Sequence, residues 1–284
     1  MRRESIQRPD GATISYQIFG DGPPVTMIQG LGMPGDAWRH TASAIAERGF
    51  RAIVVDNRGT GRSTTGKRSL LTMGMMADDA AAVIAHEVDD SERSHLVGIS
   101  LGGMISQHIA LRHPDKIRGL MLVSTTCGLP YNLMNGAFFT PAALLLLAQV
   151  CFSTKRPTLE QMQRLLAHPE STPRLTEIFL GWETMFTEQP TPPDIFLKQL
   201  IAATLHNTGP RLHRIPHTTY VVTGSDDFLI PPKNADLLSL LIPNARREVV
   251  PCCGHILPQE HPEVLPALIE KLHEEAISQH RRVA

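Results

Sequence analysis

The residues that decide the fold are Gly98-Ile99-Ser100-Leu101-Gly102. The apolar run 95–98 leads into them, and Gly103 and a helical pattern over 104–113 follow. A serine in the tight turn between a buried strand and a helix holds its hydroxyl above the edge of a sheet. Its neighbours must be small because strand and helix approach closely there. The pattern alone arises by chance in roughly one chain in ten of this length, so the prediction depends on the flanking strand and helix. In that setting the sequence predicts Ser100 as a covalent nucleophile.

Apolar, strand-like runs alternate with helical patterns on both sides of this turn. Predicted strands cover 13–19, 25–29, 52–56, 95–98, 119–124, 218–223 and 246–250. Predicted helices cover 37–48, 72–87, 104–113, 234–241 and 264–277. This alternation is typical of βαβ units, and it therefore predicts an α/β protein with a mostly parallel sheet.

The alternation stops in the middle of the chain, where prolines interrupt helical stretches and no strand pattern is found. We predict a core formed by 1–127 and 204–284, and a helical cap formed by 128–203. Because the cap leaves the core directly after the strand 119–124, it should cover the carboxyl ends of the strands. Some of its apolar side chains should therefore line a pocket over Ser100. Candidates for this lining are Leu133, Phe138, Phe139, residues 144–147, Phe179, Trp182 and Phe186.

An acid and a base follow the last two predicted strands. Asp226 and Asp227 come after the strand 218–223, and His255 comes after the strand 246–250. Open α/β sheets place their functional sites at the carboxyl ends of strands. A serine hydroxyl is a weak nucleophile and needs a base within hydrogen-bond reach, which itself needs an acid to orient it. His255 is the predicted base, and both aspartates qualify by residue type as the acid.

Two motifs carry a resemblance to a known family. One is Asp56-x-Arg58-Gly59-x-Gly61-x-Ser63, and the other is Gly254-His255 followed by Glu260 and Pro262. With them, the segments 29–38, 56–63, 96–125 and 216–262 resemble the cap-bearing α/β hydrolases with a serine nucleophile. The chain is similar to 3-oxoadipate enol-lactonases, cofactor-free haloperoxidases and aclacinomycin-type methylesterases. The resemblance implies an α/β-hydrolase fold, that is, a mostly parallel, doubly wound sheet with a helical cap insertion.

The resemblance also implies roles for single residues. The family places its acid after a glycine and two further residues, and this spacing selects Asp227 when it is counted from Gly224. The oxyanion that forms during attack on a carbonyl needs two preorganised N–H donors. The family supplies them from the backbone, here at Leu101, directly after the nucleophile, and at Leu31, in the loop after the strand 25–29.

The chain departs from the family in the loop that holds Leu31. Most members read His-Gly where this chain reads Gln29-Gly30. Gln29 either donates a side-chain hydrogen bond or fills the structural role of the histidine, and we favour the second. Asp56 and Arg58 are expected to form a buried ion pair that holds the loop after the strand 52–56.

Composition narrows the classes of partner. The formal net charge is -1, with 27 basic and 28 acidic residues. The sequence contains no long basic run of the kind that binds nucleic acid. The longest apolar run, 142–152, is shorter than the roughly 20 residues that span a bilayer. The four cysteines lack the spacing of a zinc site. We expect a cytoplasmic protein with a small-molecule substrate, no metal, no cofactor and no integral membrane segment. The oligomeric state is not predicted.

Three classes of function are consistent with these residues. The first is hydrolysis of an ester, thioester or lactone of a fairly apolar small molecule through an acyl-enzyme on Ser100. The second is hydrolysis of a C–C bond, or an acyl-transfer or lyase step in a biosynthetic or degradative pathway. The third is a non-catalytic ligand receptor. The complete set of Ser100, Asp227 and His255 favours an enzyme, because a receptor has no need to keep all three.

Overall fold

An eight-stranded sheet forms the centre of the computed structural model, which describes residues 1–67, 70–131 and 159–283. The strand order is β1-β2-β4-β3-β5-β6-β7-β8. The strands are β1 Arg2–Gln7, β2 Thr13–Phe19, β3 Pro24–Ile28, β4 Arg51–Val55, β5 Ser94–Ile99, β6 Ile117–Val123, β7 Thr219–Gly224 and β8 Ala245–Val250. Pairings from β4 to β8 are parallel, whereas β2 pairs antiparallel with both β1 and β4. The predicted, mostly parallel sheet is confirmed.

Helices cover both faces of this sheet. They are α1 Arg39–Glu47, α2 Met73–Glu87, α3 Leu101–Arg112, α4 Leu159–Leu166, α5 Thr172–Glu188, α6 Pro193–Thr204, α7 Lys233–Leu241, α8 Leu257–Glu260 and α9 Val264–Val283. Successive side chains of a strand point to opposite faces. On β6, Leu120 and Leu122 pack with α2, α3 and α7, while Met121 and Val123 pack with α1 and α9. The sheet is therefore wound on both sides.

Strand β1 and the short helix α8 were not predicted from the sequence, and β1 is the more informative of the two. Five of its six residues are exposed, so it shows no alternation of apolar and polar side chains. Strand β1 forms because its backbone pairs along its whole length with residues 13–18 of β2. Its charged residues, which include Arg2 and Arg3, suit an edge strand, because charge discourages pairing with another chain. Helix α9 also runs six residues past its predicted end at 277, to Val283.

The helices that the structure describes in the predicted cap are α4, α5 and α6. Near its two ends, Gly128 forms a bridge with Asn207, and the Thr208 N–H donates to the Cys127 carbonyl at 3.0 Å. The apolar residues Leu133, Phe138, Phe139 and 144–147, and the apolar run 142–152, lie outside the described residues. Phe179 is buried against Ile256 and neighbouring apolar side chains of the insertion. The limits 128 and 203 stay a prediction.

Two pairs of histidines each join a buried ring, His95 or His206, to a partly buried one, His273 or His108. His95 Nε2 lies 2.9 Å from His273 Nδ1, and His108 Nε2 lies 3.2 Å from His206 Nδ1. Burial, followed by the charge of His273, lowers the pKa of His95 to about 3. Burial, followed by the charge of His108, lowers the pKa of His206 to about 3. Both pairs are therefore neutral when the protein is folded near pH 7.

Acid should destabilise the fold through these pairs. A histidine pKa that is lower in the folded state than its ordinary 6.5 means that the unfolded chain binds more protons. The free energy of unfolding is therefore unaffected by His95 above pH 6.5, and it decreases as the pH falls from 6.5 towards about 3. Between pH 7 and 5, His95 alone should lower the free energy of unfolding by about 2 kcal/mol. Urea unfolding at pH 7, 6 and 5 measures this loss.

A matched pair of variants identifies the residue responsible. His95→Asn should flatten the dependence of unfolding free energy on pH, whereas His40→Asn, at an exposed position, should leave it as in the wild type. Equal pH dependence in the His95 variant and the wild type would contradict this account.

Candidate active site

Ser100 occupies a strained turn between β5 and α3. Its φ is 56° and its ψ is -119°, a conformation that side-chain-bearing residues rarely adopt. The Ser100 N–H donates to the Val123 carbonyl at 2.9 Å. The Ser100 carbonyl accepts from the Thr125 hydroxyl at 2.7 Å and from the Gly103 N–H at 3.0 Å. These bonds hold the strained backbone, and Ser100 is partly exposed while Ile99 and Leu101 are buried.

The glycines around Ser100 are required by close backbone approach. A Cβ on Gly102 would lie 2.1 Å from the Ile28 carbonyl oxygen, and one on Gly98 would lie 2.3 Å from the Gly102 carbonyl oxygen. Neither position accepts a side chain without moving a strand or α3. A Cβ on Gly30 would lie 3.3 Å from Ser100 Cβ, which places the loop after β3 directly beside the serine.

His255 is paired with Asp227 at the end of β7 and β8. His255 Nδ1 lies 2.9 Å from Asp227 Oδ2, and both side chains are buried. Asp227 Oδ1 accepts from the N–H groups of Leu229 at 3.0 Å and Ile230 at 2.8 Å, which fixes the carboxylate. Because a carboxylate accepts, Nδ1 carries the proton and Nε2 is left as the basic atom.

Asp226, which the residue types alone left open as the acid, lies elsewhere. It is partly exposed, accepts from the Ser225 hydroxyl, and lies 3.9 Å from His168 Nε2 of the insertion. Its backbone N–H donates to the Cys253 carbonyl at 2.9 Å. Of the two aspartates, Asp227 is therefore the one that forms the hydrogen bond with His255.

The insertion braces the loop that carries His255. Helix α4 ends at Leu166, and the carbonyl there accepts from the N–H groups of His255 at 2.7 Å and Ile256 at 3.2 Å. Glu260 is buried and accepts from the Gly254 N–H at 2.8 Å and from the His168 N–H at 2.7 Å. The sequence signalled Glu260 only as part of a motif, without a role, and it gave no signal for Leu166.

The loop after β3 is tied at its start. The Gly30 N–H donates to the buried Gln29 side chain at 2.8 Å, and Asn57 Nδ2 donates to the Gln29 carbonyl at 2.9 Å. The Gln29 side chain thus accepts a bond within its own loop, and its role in place of the family's histidine stays a prediction. Within the described part of the chain, the N–H groups of Leu31 and Leu101 donate to no protein acceptor. Both therefore remain available as donors.

The prediction of an ion pair between Asp56 and Arg58 was wrong. Arg58 donates from Nε and Nη2 to Asp79 on α2, at 2.7 and 2.8 Å, and from Nη1 to Asp10 at 2.7 Å. The Asp79 carboxylate accepts two parallel bonds from the guanidinium, an arrangement that Asp56 does not offer because backbone N–H groups occupy it. Asp56 accepts from Gly35 at 2.7 Å and from the Arg62 N–H at 3.0 Å.

Asp56 nevertheless joins two loops of the site. Its bonds connect the turn after β4 to the residues that follow the Leu31 loop. Burial raises the pKa of this carboxyl, against the opposing effect of its two backbone hydrogen bonds. The expected structural role of both residues is met, but with different partners.

No group of three or more His, Cys, Asp or Glu side chains in residues 1–67, 70–131 and 159–283 could hold a metal ion. None of the helices in the same ranges combines the length and the apolar character needed to cross a bilayer.

The chain is similar to known proteins over most of its length. A family model for the alpha/beta hydrolase fold matches residues 23–262. The chain is 29% identical over 257 residues to the putative non-heme bromoperoxidase BpoC of Mycobacterium tuberculosis, covering 89% of this chain and 94% of that protein. It is 26% identical over 264 residues to a pimeloyl-[acyl-carrier protein] methyl ester esterase of Aeromonas hydrophila, covering 91% and 98%. The fold of a hydrolase from Pseudomonas aeruginosa PA01 matches with a TM-score of 0.79 at 23% identity, covering 95% and 97%. This chain belongs to the α/β-hydrolase family of enzymes.

Proposed function

We propose that the protein is a serine hydrolase that cleaves a carboxylic ester, thioester or lactone of a fairly apolar small molecule. The observation that carries the proposal is the buried pair of Asp227 and His255. Among the described residues His255 Nε2 makes no hydrogen bond, and it follows the carboxyl end of β8 as Ser100 follows that of β5. Strands β5, β7 and β8 deliver the three residues, and only β6 separates β5 from β7.

The proposed reaction has two stages. His255 Nε2 takes the proton from the Ser100 hydroxyl as its oxygen attacks the carbonyl carbon, and Asp227 stabilises the imidazolium. The N–H groups of Leu31 and Leu101 donate to the oxyanion. His255 then protonates the leaving group, the acyl group stays on Ser100, and water activated by His255 releases the acid. Each tetrahedral intermediate uses the same two N–H donors.

Two observations support an apolar ester as substrate. The Aeromonas hydrophila relative is named as a methyl ester esterase, so its substrate is an ester. Near Ser100, the loop that carries Leu31 is covered by an aromatic ring, since a Cβ on Gly32 would lie 2.7 Å from Phe196 Cδ2. Leu31 itself packs against the apolar core. An apolar acyl or alcohol group therefore suits this side of the site.

The length of the acyl chain should control the rate. Each CH₂ buried in an apolar pocket contributes about 0.8 kcal/mol, or roughly fourfold in affinity. We expect kcat/KM for p-nitrophenyl esters to rise from the C2 ester to a medium chain length before it falls. A steady fall from C2 to C12 would contradict an apolar pocket and favour a compact lactone.

A wider panel separates this proposal from the other classes of function. Lactones and a vinylogous diketone are assayed beside the esters, with Ser100→Ala as the blank. Hydrolysis of the diketone without any ester would favour C–C bond cleavage. A receptor would neither turn over these compounds nor react with a fluorophosphonate probe at Ser100.

A further inference from the structure

Gln199 lies on α6 of the insertion and reaches the loop that carries Leu31. Its side chain is completely buried. Gln199 Oε1 accepts from the Gly32 N–H at 3.0 Å, and Gln199 Nε2 donates to the Arg58 carbonyl at 3.3 Å. The Gly32 N–H, in the loop after β3, needs an acceptor, and the Arg58 carbonyl, in the loop after β4, needs a donor. An amide meets both needs at once, whereas a carboxylate or an apolar side chain does not.

The bond to Gly32 falls on the peptide that decides the shape of the turn. The Met33 N–H donates to the Gly30 carbonyl at 3.3 Å, which closes a four-residue turn with Leu31 and Gly32 in its middle. The φ of Gly32 is +66°, as a type II turn requires at its third residue. Type I and type II turns differ by a flip of the middle peptide, and a glycine at that position tolerates the flip.

A second residue that precedes α6 holds the other side of Gly32. The Thr191 hydroxyl donates to the Gly32 carbonyl at 2.8 Å. Both polar groups of Gly32 are therefore bonded to residues of the predicted cap, and the long bond between Met33 and Gly30 does not act alone. The Leu31 N–H belongs to the peptide between Gly30 and Leu31, whose carbonyl accepts the bond from Met33 that closes the turn. By fixing the middle peptide, the bonds to Gly32 keep the turn closed, and the closed turn holds the peptide that carries the Leu31 N–H.

We propose that Gln199 is a positioning residue that sets the oxyanion loop, so that the Leu31 N–H points at the developing oxyanion. This inference rests on the proposed function. It assigns part of the catalytic geometry to the insertion rather than to the core. Gln199 itself touches neither the substrate nor Ser100; it acts through the peptide between Leu31 and Gly32.

The test compares Gln199→Met with Gln189→Met. Both substitutions remove an amide from the insertion, but Gln189 donates to Asp36 at 3.2 Å rather than to the Leu31 loop. With p-nitrophenyl hexanoate, Gln199→Met should lower kcat on the order of 10- to 100-fold, part of the loss seen when an oxyanion donor is removed. KM should stay within about threefold, because ground-state binding does not use the oxyanion donors. Gln189→Met should retain the wild-type kcat.

Two further measurements distinguish positioning from a general loss of structure. A trifluoromethyl alkyl ketone places an oxyanion in the site when Ser100 adds to it, so its inhibition constant should rise by the same factor as kcat falls. The pH profile of kcat/KM should keep its shape, because Asp227 and His255 are not affected. Unchanged kcat and unchanged ketone inhibition in a folded Gln199→Met protein would overturn the proposal.

A second variant covers the case in which Gln199→Met does not fold. Thr191→Val removes the other bond to Gly32 at a partly exposed position, and it should lower kcat and weaken ketone inhibition together, by about threefold to tenfold. A Thr191→Val enzyme equal to the wild type in both would overturn the proposal. If the wild type neither hydrolyses esters nor reacts with a fluorophosphonate, the proposed function fails, and this inference fails with it.

Discussion

Replacing Ser100 with alanine should lower kcat by at least about 10³-fold while the protein stays folded. The acyl group then has no oxygen to which it can transfer, and neither His255 nor the oxyanion donors replace it. Alanine keeps the Cβ of serine, so the positive φ of 56° costs no more than before. The backbone bonds of residue 100 to Val123, Gly103 and Thr125 also remain.

The measurement pairs ester turnover with covalent labelling. Purified Ser100→Ala should give a wild-type circular dichroism spectrum, no turnover above about a thousandth of the wild-type rate, and no fluorophosphonate adduct. An adduct retained in this variant would place the nucleophile on another residue.

Replacing Asp227 with asparagine should lower kcat on the order of 10³- to 10⁴-fold. Asp227 Oδ1 accepts from two backbone N–H groups, so the amide oxygen of asparagine must take that place. The NH₂ group then faces His255 Nδ1, which must become an acceptor. The ring proton moves to Nε2, and the base can no longer take the proton of Ser100.

Asp226→Asn is the matched control. Its side chain contacts Ser225 and lies near His168, and it does not contact His255. Its kcat should stay within a few-fold of the wild type in the same ester assay. A larger loss for Asp226→Asn than for Asp227→Asn would show that the acid was assigned to the wrong residue.

The predicted parts of the fold have strong local signals. Val97, Leu120 and Val221 lie in short, continuous apolar runs, which buried parallel strands require. Strand β1 lacks such a signal, because its exposed residues are held by pairing with β2 rather than by burial. Residue types alone left Asp226 and Asp227 equivalent, since neighbours in sequence diverge only once the loop after β7 takes its shape.

The long-range contacts around the site were beyond sequence reasoning for a different reason. One partner of Arg58 is Asp79, which lies 21 positions away on α2. No local spacing distinguishes it from other aspartates. Leu166 acts through its carbonyl oxygen, a group that every residue has, so its side chain carries no signal. Gln199 is one glutamine among several until the fold brings it to Gly32.

The bond from the His255 N–H to the Leu166 carbonyl has a consequence for how the insertion can diverge. Every amino acid supplies that oxygen, so substitutions at 166 change neighbouring packing but keep the acceptor. A lineage can therefore exchange side chains along the insertion and try new substrates while the brace on His255 persists. Insertions or deletions between α4 and α5 are different, because they shift Leu166 and His168 relative to Gly254 and Glu260. The segment that contains Leu166 and His168 therefore tolerates substitutions of side chains better than changes of length.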